Sequence, residues 1–360
     1  MVFRSSAQQK IYLVGALVLG VLVACIYILY SLFVDYQKND VTEVTADRSG
    51  EIVLTLTPLL PGGASFLSTP AVFRPNDRVF GLLPAEGYFG TSSAPAIVYH
   101  NTLSRDGRYE AFVGAQNVDQ YGLSIDTVPL TVYVVDRAED TPLPQAVYTS
   151  EPGTILHHPS VSNNGDVLFS WREEDVNDSE RFTYDAEKWT IGLWQGGEYT
   201  AITGGVSPKW VGTDRFLSLG DDGIYLYDLS TDELTLLFES PLLVNGPSAL
   251  AVSLDGTKVA FVHMVANVVR IFNYDAITRT LTPSSELVMN AQDAVFAPDG
   301  KTLAVLRSLP STEVNMGEDL SQEFVSVIDF IDVATNDLLE EARYIIEGTA
   351  PQLTYVTEWR

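Results

Sequence analysis

The sequence predicts an all-β fold, a β-propeller of four-stranded blades that follows one N-terminal transmembrane helix. A unit of strand, tight Asp-Gly or Asn-Gly turn and second strand recurs roughly every 40 to 50 residues, a period typical of propeller blades. No convincing amphipathic helix follows residue 50. The 360 residues are 46% hydrophobic, which is enough for the core of one large repeat domain.

The N-terminal segment predicts a membrane anchor. Residues 1–10 contain Arg4 and Lys10 and no acidic side chain, and Ile11 to Val34 contains no charge at all. A helix of that length exceeds the roughly 30 Å hydrocarbon core of a bilayer. Because basic flanking residues stay on the cytoplasmic side, we expect the later domain to lie outside the membrane.

These expectations divide the chain into four parts. They are a cytoplasmic N-terminus at 1–10, a transmembrane anchor at 11–34, a polar stalk at 35–50 and a β-propeller domain at 51–360. A second interpretation is open, since Leu22-Val23-Ala24-Cys25 resembles the lipobox of bacterial lipoproteins. The protein would then be cleaved and anchored by lipid on Cys25. Both interpretations place it at the cell membrane.

Charge and cysteine content limit the partners. All 47 acidic residues follow residue 34, and the formal net charge is −26. Such a surface repels phosphate backbones, so nucleic acid is not an expected partner. Cys25 is the only cysteine, so the predicted propeller contains no disulfide and no cysteine-ligated metal.

The turns define the repeat units from the N-terminus to the C-terminus. Asp-Gly and Asn-Gly suit two-residue hairpins because glycine and asparagine tolerate positive φ. Several units continue into a third strand that ends at an aspartate followed three residues later by threonine, which predicts a turn capped by the aspartate side chain. The six turns are Asn76-Asp77, Asp106-Gly107, Asn164-Gly165, Thr213-Asp214, Asp255-Gly256 and Asp299-Gly300.

The two ends of the domain predict how the ring closes. Glu51 to Leu59 is an unassigned strand near the start, and Pro351 to Trp359 has the pattern of one more first strand. Pairing them would remove the exposed edges of an open array. Added to the six turns, this pair favours seven blades, with six as the alternative.

The turn motifs resemble a known repeat. Ala297-Pro298-Asp299-Gly300-Lys301, Ser253 to Lys258 and Ser104 to Arg108 are similar to the WD40-like repeat of TolB-type propellers. The same repeat type occurs in propeller domains attached to prolyl oligopeptidase-type peptidases. The resemblance covers about residues 65 to 360 and implies a fold but no particular activity. Thr213-Asp214 departs from it because it has no glycine.

Contiguous catalytic motifs are absent from the sequence. There is no Gly-x-Ser-x-Gly nucleophile elbow, no His-Glu-x-x-His metal motif and no phosphate-binding loop. We therefore expect no cofactor and, in the first instance, no catalytic residues.

The repeat register predicts one candidate binding site. Positions seven residues before each turn should lie together at one mouth of the central channel, because the innermost strands surround the axis. Imidazole and carboxylate groups there could bind a ligand or a divalent metal. The alternative is that these side chains only hydrogen-bond the backbone of neighbouring blades. The polar candidates are His100, His158, Ser207 and Asp293.

An acidic insertion offers a second candidate site. Asp175, Asn177, Ser179 and Glu180 alternate in the manner of a calcium loop, but the glycine and final glutamate of an EF-hand are missing. A divalent-cation site here is the less favoured interpretation, and a mobile acidic loop is the favoured one.

Together these features predict a membrane-tethered, extracytoplasmic propeller that binds or scaffolds a protein or a cell-envelope polymer. Two alternatives are open. One is a propeller enzyme, lactonase-like or glycan-acting, with an axial site. The other is a structural subunit of an envelope complex.

Overall fold

All regular structure in the described part of the chain is β-strand. The computed structural model describes residues 50–58, 69–76, 79–82, 96–115, 129–139, 142–173, 188–240, 248–263, 266–310, 324–339, 344–345 and 352–359. The predicted anchor at 11–34, with Cys25, and the stalk before residue 50 lie outside these ranges. Among the described residues, no helix has the length and apolar character needed to cross a membrane.

The strands of the described residues form six four-stranded antiparallel sheets, numbered here along the chain. Sheet 1 contains β1 (Ile52–Pro58), β2 (Thr69–Arg74), β3 (Val79–Leu82) and β24 (Gln352–Trp359). Sheet 2 contains β4 (Ala96–Leu103), β5 (Tyr109–Ala115), β6 (Thr131–Asp136) and β7 (Gln145–Thr149). Sheet 3 contains β8 (Thr154–Val161), β9 (Val167–Glu173), β10 (Thr190–Gln195) and β11 (Glu198–Gly204).

The remaining three sheets follow the same order of consecutive strands. Sheet 4 contains β12 (Val206–Trp210), β13 (Arg215–Leu219), β14 (Gly223–Asp228) and β15 (Glu233–Glu239). Sheet 5 contains β16 (Ser248–Val252), β17 (Lys258–His263), β18 (Val268–Asp275) and β19 (Thr280–Val288). Sheet 6 contains β20 (Ala291–Phe296), β21 (Thr302–Pro310), β22 (Phe324–Asp332) and β23 (Tyr344–Ile345).

The first strand of each sheet borders a common axis. Strands β4, β8, β12, β16, β20 and β24 contact one another in that order, and β24 contacts β4 in turn. The sheets therefore form a closed ring, the all-β propeller of four-stranded sheets that the sequence predicts.

The ring closes through the two ends of the domain. Strand β24 pairs with β1 from Ile52 opposite Trp359 to Pro58 opposite Gln352, as the sequence predicts. The favoured count of seven blades is wrong, because the closing strands and the unit at Asn76 belong to one sheet. That turn connects β2 with β3, the third and fourth strands of sheet 1, and does not follow an innermost strand.

The predicted turn chemistry is present in the structure. Gly107 and Gly256 both have a φ of 72°, a conformation that costs glycine little. In the turn before each of them a serine hydroxyl donates to the aspartate carboxylate at 2.6 Å, from Ser104 to Asp106 and from Ser253 to Asp255. The two turns are thus built alike, as their sequences predict.

The turns after the third strands are also capped as predicted. The Oδ1 atom of Asp275 accepts hydrogen bonds from the backbone N–H groups of Ile277 and Thr278, at 2.8 and 3.1 Å. Asp332 caps Ala334 and Thr335 in the same way, at 2.8 and 3.0 Å. Each aspartate satisfies backbone donors that the end of the strand leaves unpaired.

The apolar core lies in layers between successive sheets. Alternation along each strand places aliphatic and aromatic side chains on both faces of a sheet, and each face packs against the next sheet in the ring. One layer joins sheets 5 and 6 through Ile271 and Leu303, and another joins sheets 6 and 1 through Phe330 and Phe73. The innermost strands are held in place by these layers.

Candidate functional site

All four residues of the predicted ring lie on innermost strands. His100 is on β4, His158 on β8, Ser207 on β12 and Asp293 on β20. We call the face of the propeller where the innermost strands begin the entry face, and the opposite face, where they turn back, the turn face. The four residues belong to sheets 2, 3, 4 and 6, so the ring topology arranges their strands around one axis.

Each of the four residues coincides with an irregularity in strand pairing. The register between β8 and β9 shifts between His157 and Ser160, and that between β12 and β13 shifts between Val206 and Lys209. Such shifts are β-bulges, which insert one extra residue and redirect side chains.

The corresponding shifts in sheets 2 and 6 lie between Tyr99 and Asn101 and between Ala291 and Asp293. Strand β16, whose equivalent residue is Ala249, pairs regularly with β17. Each polar residue of the predicted ring therefore lies at a bulge, whereas Ala249 lies in a regular strand pair.

Two of the bulges use a left-handed backbone. His158 has a φ of 49° and Ser207 a φ of 53°, values that non-glycine residues seldom adopt. Both are followed by proline, which has no N–H to donate to the ladder. Strands β8 and β12 thus share a local conformation in which a residue with positive φ lies near the entry face.

Ser207 performs a structural task. Its side chain is buried, and its hydroxyl oxygen accepts a hydrogen bond from the backbone N–H of Leu250 at 3.3 Å. Leu250 lies on β16 of the next sheet. For this residue the structure matches the alternative interpretation, a hydrogen bond between neighbouring blades.

His158 lies beside a second histidine that the register did not select. The rings of His157 and His158 are 5.2 Å apart, and His157 also contacts Trp189 at 5.7 Å. Burial, and to a smaller extent the positive charge of Arg172, lowers the pKa of His157 to about 3. His157 is therefore neutral at ordinary pH and belongs to the packing of sheet 3.

Asp293 is coupled to a lysine that sequence reasoning missed. The Asp293 side chain is buried, and its Oδ1 atom accepts the N–H of Ala294 at 2.9 Å. Its negative charge acts on Lys209, a half-buried residue on β12. Burial lowers the pKa of the Lys209 ammonium, and Asp293 opposes part of that shift. Lys209 is two residues after Ser207, at a position that the count of seven residues back from the turn does not select.

At the turn face, an arginine crosses the axis. Arg105 precedes the Asp106-Gly107 turn of sheet 2, and its Nη2 atom donates to the carbonyl oxygen of Trp210 in sheet 4 at 2.9 Å. A Cβ atom built on Gly256 of sheet 5 would lie 2.7 Å from both terminal guanidinium nitrogens. Burial lowers the pKa of Arg105, and the Asp255 carboxylate opposes this shift.

The acidic insertion with Asp175, Asn177, Ser179 and Glu180 lies outside the described residues, as does the side chain of His100. Within the ranges that the structure describes, no group of three or more His, Cys, Asp or Glu side chains is placed to hold a metal ion. A divalent cation stays a prediction.

Comparison with known proteins gives the fold. No family model and no curated protein matches the sequence. Among solved structures, TolB from Acinetobacter baumannii is similar with a TM-score of 0.53 and 15% identity over 87% of this chain and 68% of that one.

Two further structures have lower scores. A putative 6-phosphogluconolactonase from Bacteroides fragilis gives a TM-score of 0.44 at 14% identity, covering 86% of this chain and 99% of that one. An oligogalacturonate lyase in complex with manganese gives 0.43 at 12%, covering 81% and 85%. At 15% identity the likeness to TolB establishes architecture alone, and by that architecture the chain is a β-propeller.

Proposed function

We propose that this protein is a membrane-tethered, extracytoplasmic propeller that binds a protein or a cell-envelope polymer, without catalysis, at its entry face. The observation that carries the proposal is the asymmetry of the axis. Arg105 occupies the turn face, whereas the bulged residues His158 and Asp293 lie toward the entry face. Because Arg105 obstructs the turn face, a partner would reach the axis from the entry face.

The likeness to the TolB fold supports a binding propeller only as an analogy of architecture. The apolar run at 11–34 supports the tether, and the single lipobox-like cysteine keeps lipidation as the alternative anchor. The acidic surface, with its net charge of −26, supports a basic or neutral partner and disfavours nucleic acid.

Site-specific photocrosslinking in the native membrane tests the entry face. A photoreactive amino acid replaces Asn290, an exposed residue just before β20 on the entry face. The matched control replaces Ile277, an exposed residue in the turn between β18 and β19, which antiparallel pairing places on the turn face. We expect a discrete protein or polymer adduct from position 290 and none from 277. Adducts from 277 alone, or from neither position, would contradict the proposal.

The tether has its own test. In a Cys25→Ala background, Ile277→Cys provides a single exposed thiol in the propeller. A membrane-impermeant maleimide should label it in intact cells or spheroplasts, and the protein should remain in the membrane after alkaline carbonate extraction. Labelling only after lysis would contradict the orientation. Release of the Cys25→Ala protein, with retention of the unchanged one, would favour the lipid anchor.

A further inference from the structure

The outermost strand of sheet 4 has an exposed apolar surface. Strand β15 is an end member of its sheet, and within the described part of the chain it pairs with β14 alone. Two of its leucines are unusually accessible: Leu234 is 45% exposed and Leu236 is 40% exposed. Because successive side chains of a strand point to opposite faces, these two leucines lie on the same face of β15.

The exposed leucines continue an apolar layer outward to the rim of the propeller. Leu234 lies opposite Tyr227 of β14, and Leu236 lies opposite Tyr225. Tyr227 is buried in the layer between sheets 3 and 4, which also contains Phe216. Side chains that are directly opposite in an antiparallel pair share a face of the sheet. The two leucines are therefore the solvent-facing end of that layer.

Strand β15 lacks features with which edge strands usually avoid a further strand. It contains no proline and no lysine, and its pairing with β14 is regular from Glu233 to Leu236, with the register shift only at Leu237. The outermost strand of sheet 5 differs. Near the middle of β19, Pro283 has no N–H to donate to a new neighbour. An added strand would therefore find free main-chain groups along β15.

The charges at the two ends of β15 indicate the chemistry of that strand. Glu233 and Glu239 are its first and last residues, and both are exposed. Among the described residues neither carboxylate has a basic partner, and Glu233 accepts only a hydrogen bond from Thr231 Oγ1 at 3.3 Å. An apolar centre with one acid at each end is complementary to a strand that has an apolar centre and basic ends.

A second copy of this chain fits the same edge less well. In the antiparallel register that overlaps β15 completely with itself, Glu233 of each copy lies opposite Glu239 of the other. Like charges that are directly opposite destabilise a strand pair. The net charge of −26 on each copy adds repulsion at longer range. The charge pattern therefore favours a different chain with basic residues.

We propose that β15 is a docking edge, to which an extended segment of a partner protein adds as a fifth strand of sheet 4. Apolar side chains at alternate positions of the segment pack on Leu234 and Leu236, and a lysine or arginine at each end pairs with Glu233 or Glu239. Main-chain hydrogen bonds supply the affinity, and these side-chain contacts supply the selectivity. The docking edge lies at the outer rim and goes beyond the function proposed for the entry face.

Two synthetic peptides test the docking edge on the full-length protein in detergent. In both, alternating valine and threonine stand between charged ends, which are lysines in one peptide and glutamates in the other. The lysine-ended peptide should bind at least about tenfold more tightly, as fluorescence polarisation measures. At about ten times its Kd it should slow hydrogen exchange of the β15 amides by about tenfold and leave those of β19 unchanged.

A charge reversal tests the role of the two glutamates. The variant Glu233→Lys/Glu239→Lys should prefer the glutamate-ended peptide. The matched control Glu139→Lys/Glu198→Lys changes the net charge equally at two exposed glutamates of sheets 2 and 3, and it should keep the original preference. Urea denaturation of each variant shows that it is folded.

A second variant makes the test independent of charge. Leu234→Ser/Leu236→Ser alters exposed positions, so the free energy of unfolding should change little while the lysine-ended peptide binds more weakly. Equal binding of both peptides, reversal of the preference in the control variant, or protection that is as strong at β19 as at β15 would overturn the proposal. Dimerisation without peptide that the double serine variant abolishes would instead identify a second copy as the occupant and overturn the assignment to a basic partner.

Discussion

The Arg105 guanidinium of sheet 2 donates a hydrogen bond to the main-chain carbonyl oxygen of Trp210 in sheet 4, with Nη2 and O 2.9 Å apart. Sheet 3 lies between these two sheets, and Trp210 is bonded to it in turn. Its backbone N–H donates to Ser160 Oγ at 3.3 Å, and its indole N–H donates to the Ser160 carbonyl oxygen at 3.0 Å. One side chain thus helps to connect three successive sheets across the turn face.

Replacing Arg105 by methionine should lower the free energy of unfolding by about 1–3 kcal/mol, since it removes a charge-assisted hydrogen bond from a partly buried carbonyl oxygen. Urea denaturation measures the change. Arg74→Met is the matched control, because Arg74 forms an exposed ion pair with Glu51, and exposed pairs contribute about 0–1 kcal/mol. If Arg105→Met costs no more than Arg74→Met, the contact across the axis does not stabilise the ring.

Gly256 should be less tolerant of alanine than Gly107, although both have a φ of 72°. A Cβ atom at Gly107 meets nothing within 4 Å, so Gly107→Ala reports only the cost of the left-handed backbone, about 1–2 kcal/mol. A Cβ atom at Gly256 lies 2.7 Å from the Arg105 guanidinium and must displace it. Gly256→Ala should therefore cost more in urea denaturation.

A double-mutant cycle assigns that excess to Arg105. In the Arg105→Met background, Gly256→Ala should cost about as much as Gly107→Ala, because the group with which the new methyl collides is gone. An excess that persists without Arg105 would mean that Gly256 is required for another reason.

Local patterns predicted the turns and the closing strand pair but gave the wrong number of blades. The glycine turns and the aspartate caps at Asp275 and Asp332 depend on residues within five positions of one another. A short stretch of sequence therefore contains every residue that forms them. The pairing of β1 with β24 joins the two ends of the domain, and no local pattern distinguishes an extra blade from a shared one. The repeat pattern therefore places the turn at Asn76 after an innermost strand, whereas in the structure this turn follows the third strand of sheet 1.

The sequence predicted the innermost strands on which the four candidate residues lie, and a binding site there stays a prediction. Counting back from the turns located the innermost strands of sheets 2 to 6, because the repeat is regular there, but did not predict their bulges. A bulge, however, adds one residue and shifts the side chains that follow it. At the bulge of β12, the predicted Ser207 is buried and bonds to the backbone of Leu250 in the next sheet.

His157 should make the protein sensitive to mild acid. Burial lowers its pKa to about 3 in the folded state, against about 6.5 in an unfolded chain. Between these values the unfolded state binds a proton that the folded state excludes, so stability falls as the pH falls below about 6.5. The slope from this residue alone approaches about 1.4 kcal/mol per pH unit.

Comparison with His157→Gln isolates that contribution from other titrating groups. Glutamine is neutral at every pH, so the difference in free energy of unfolding between the two proteins should be constant above pH 7.5. It should shrink by about 2 kcal/mol at pH 5, as urea denaturation at each pH will measure. Parallel stability curves down to pH 5 would mean that His157 titrates alike in both states.

Trp359 should be the main apolar anchor of the ring closure. It lies at the end of β24, is only 5% exposed and packs on Phe330 of sheet 6, with ring centroids 5.6 Å apart. Trp359→Ala should lower the free energy of unfolding by about 3–5 kcal/mol, because it leaves a cavity between sheets 6 and 1. Ile277→Ala, at a residue 93% exposed, should change it by less than about 0.5 kcal/mol.

Hydrogen exchange shows whether the loss is local to the closure. Because β24 is tied to the ring through β1 and through this packing, Trp359→Ala should raise exchange of the amides of β1 and β24 before those of sheet 4. The closure would then open as a unit while the remaining sheets stay folded. Uniform acceleration across all sheets would instead show that the ring unfolds as one cooperative body and that the closing pair is no weaker than the sheets it joins.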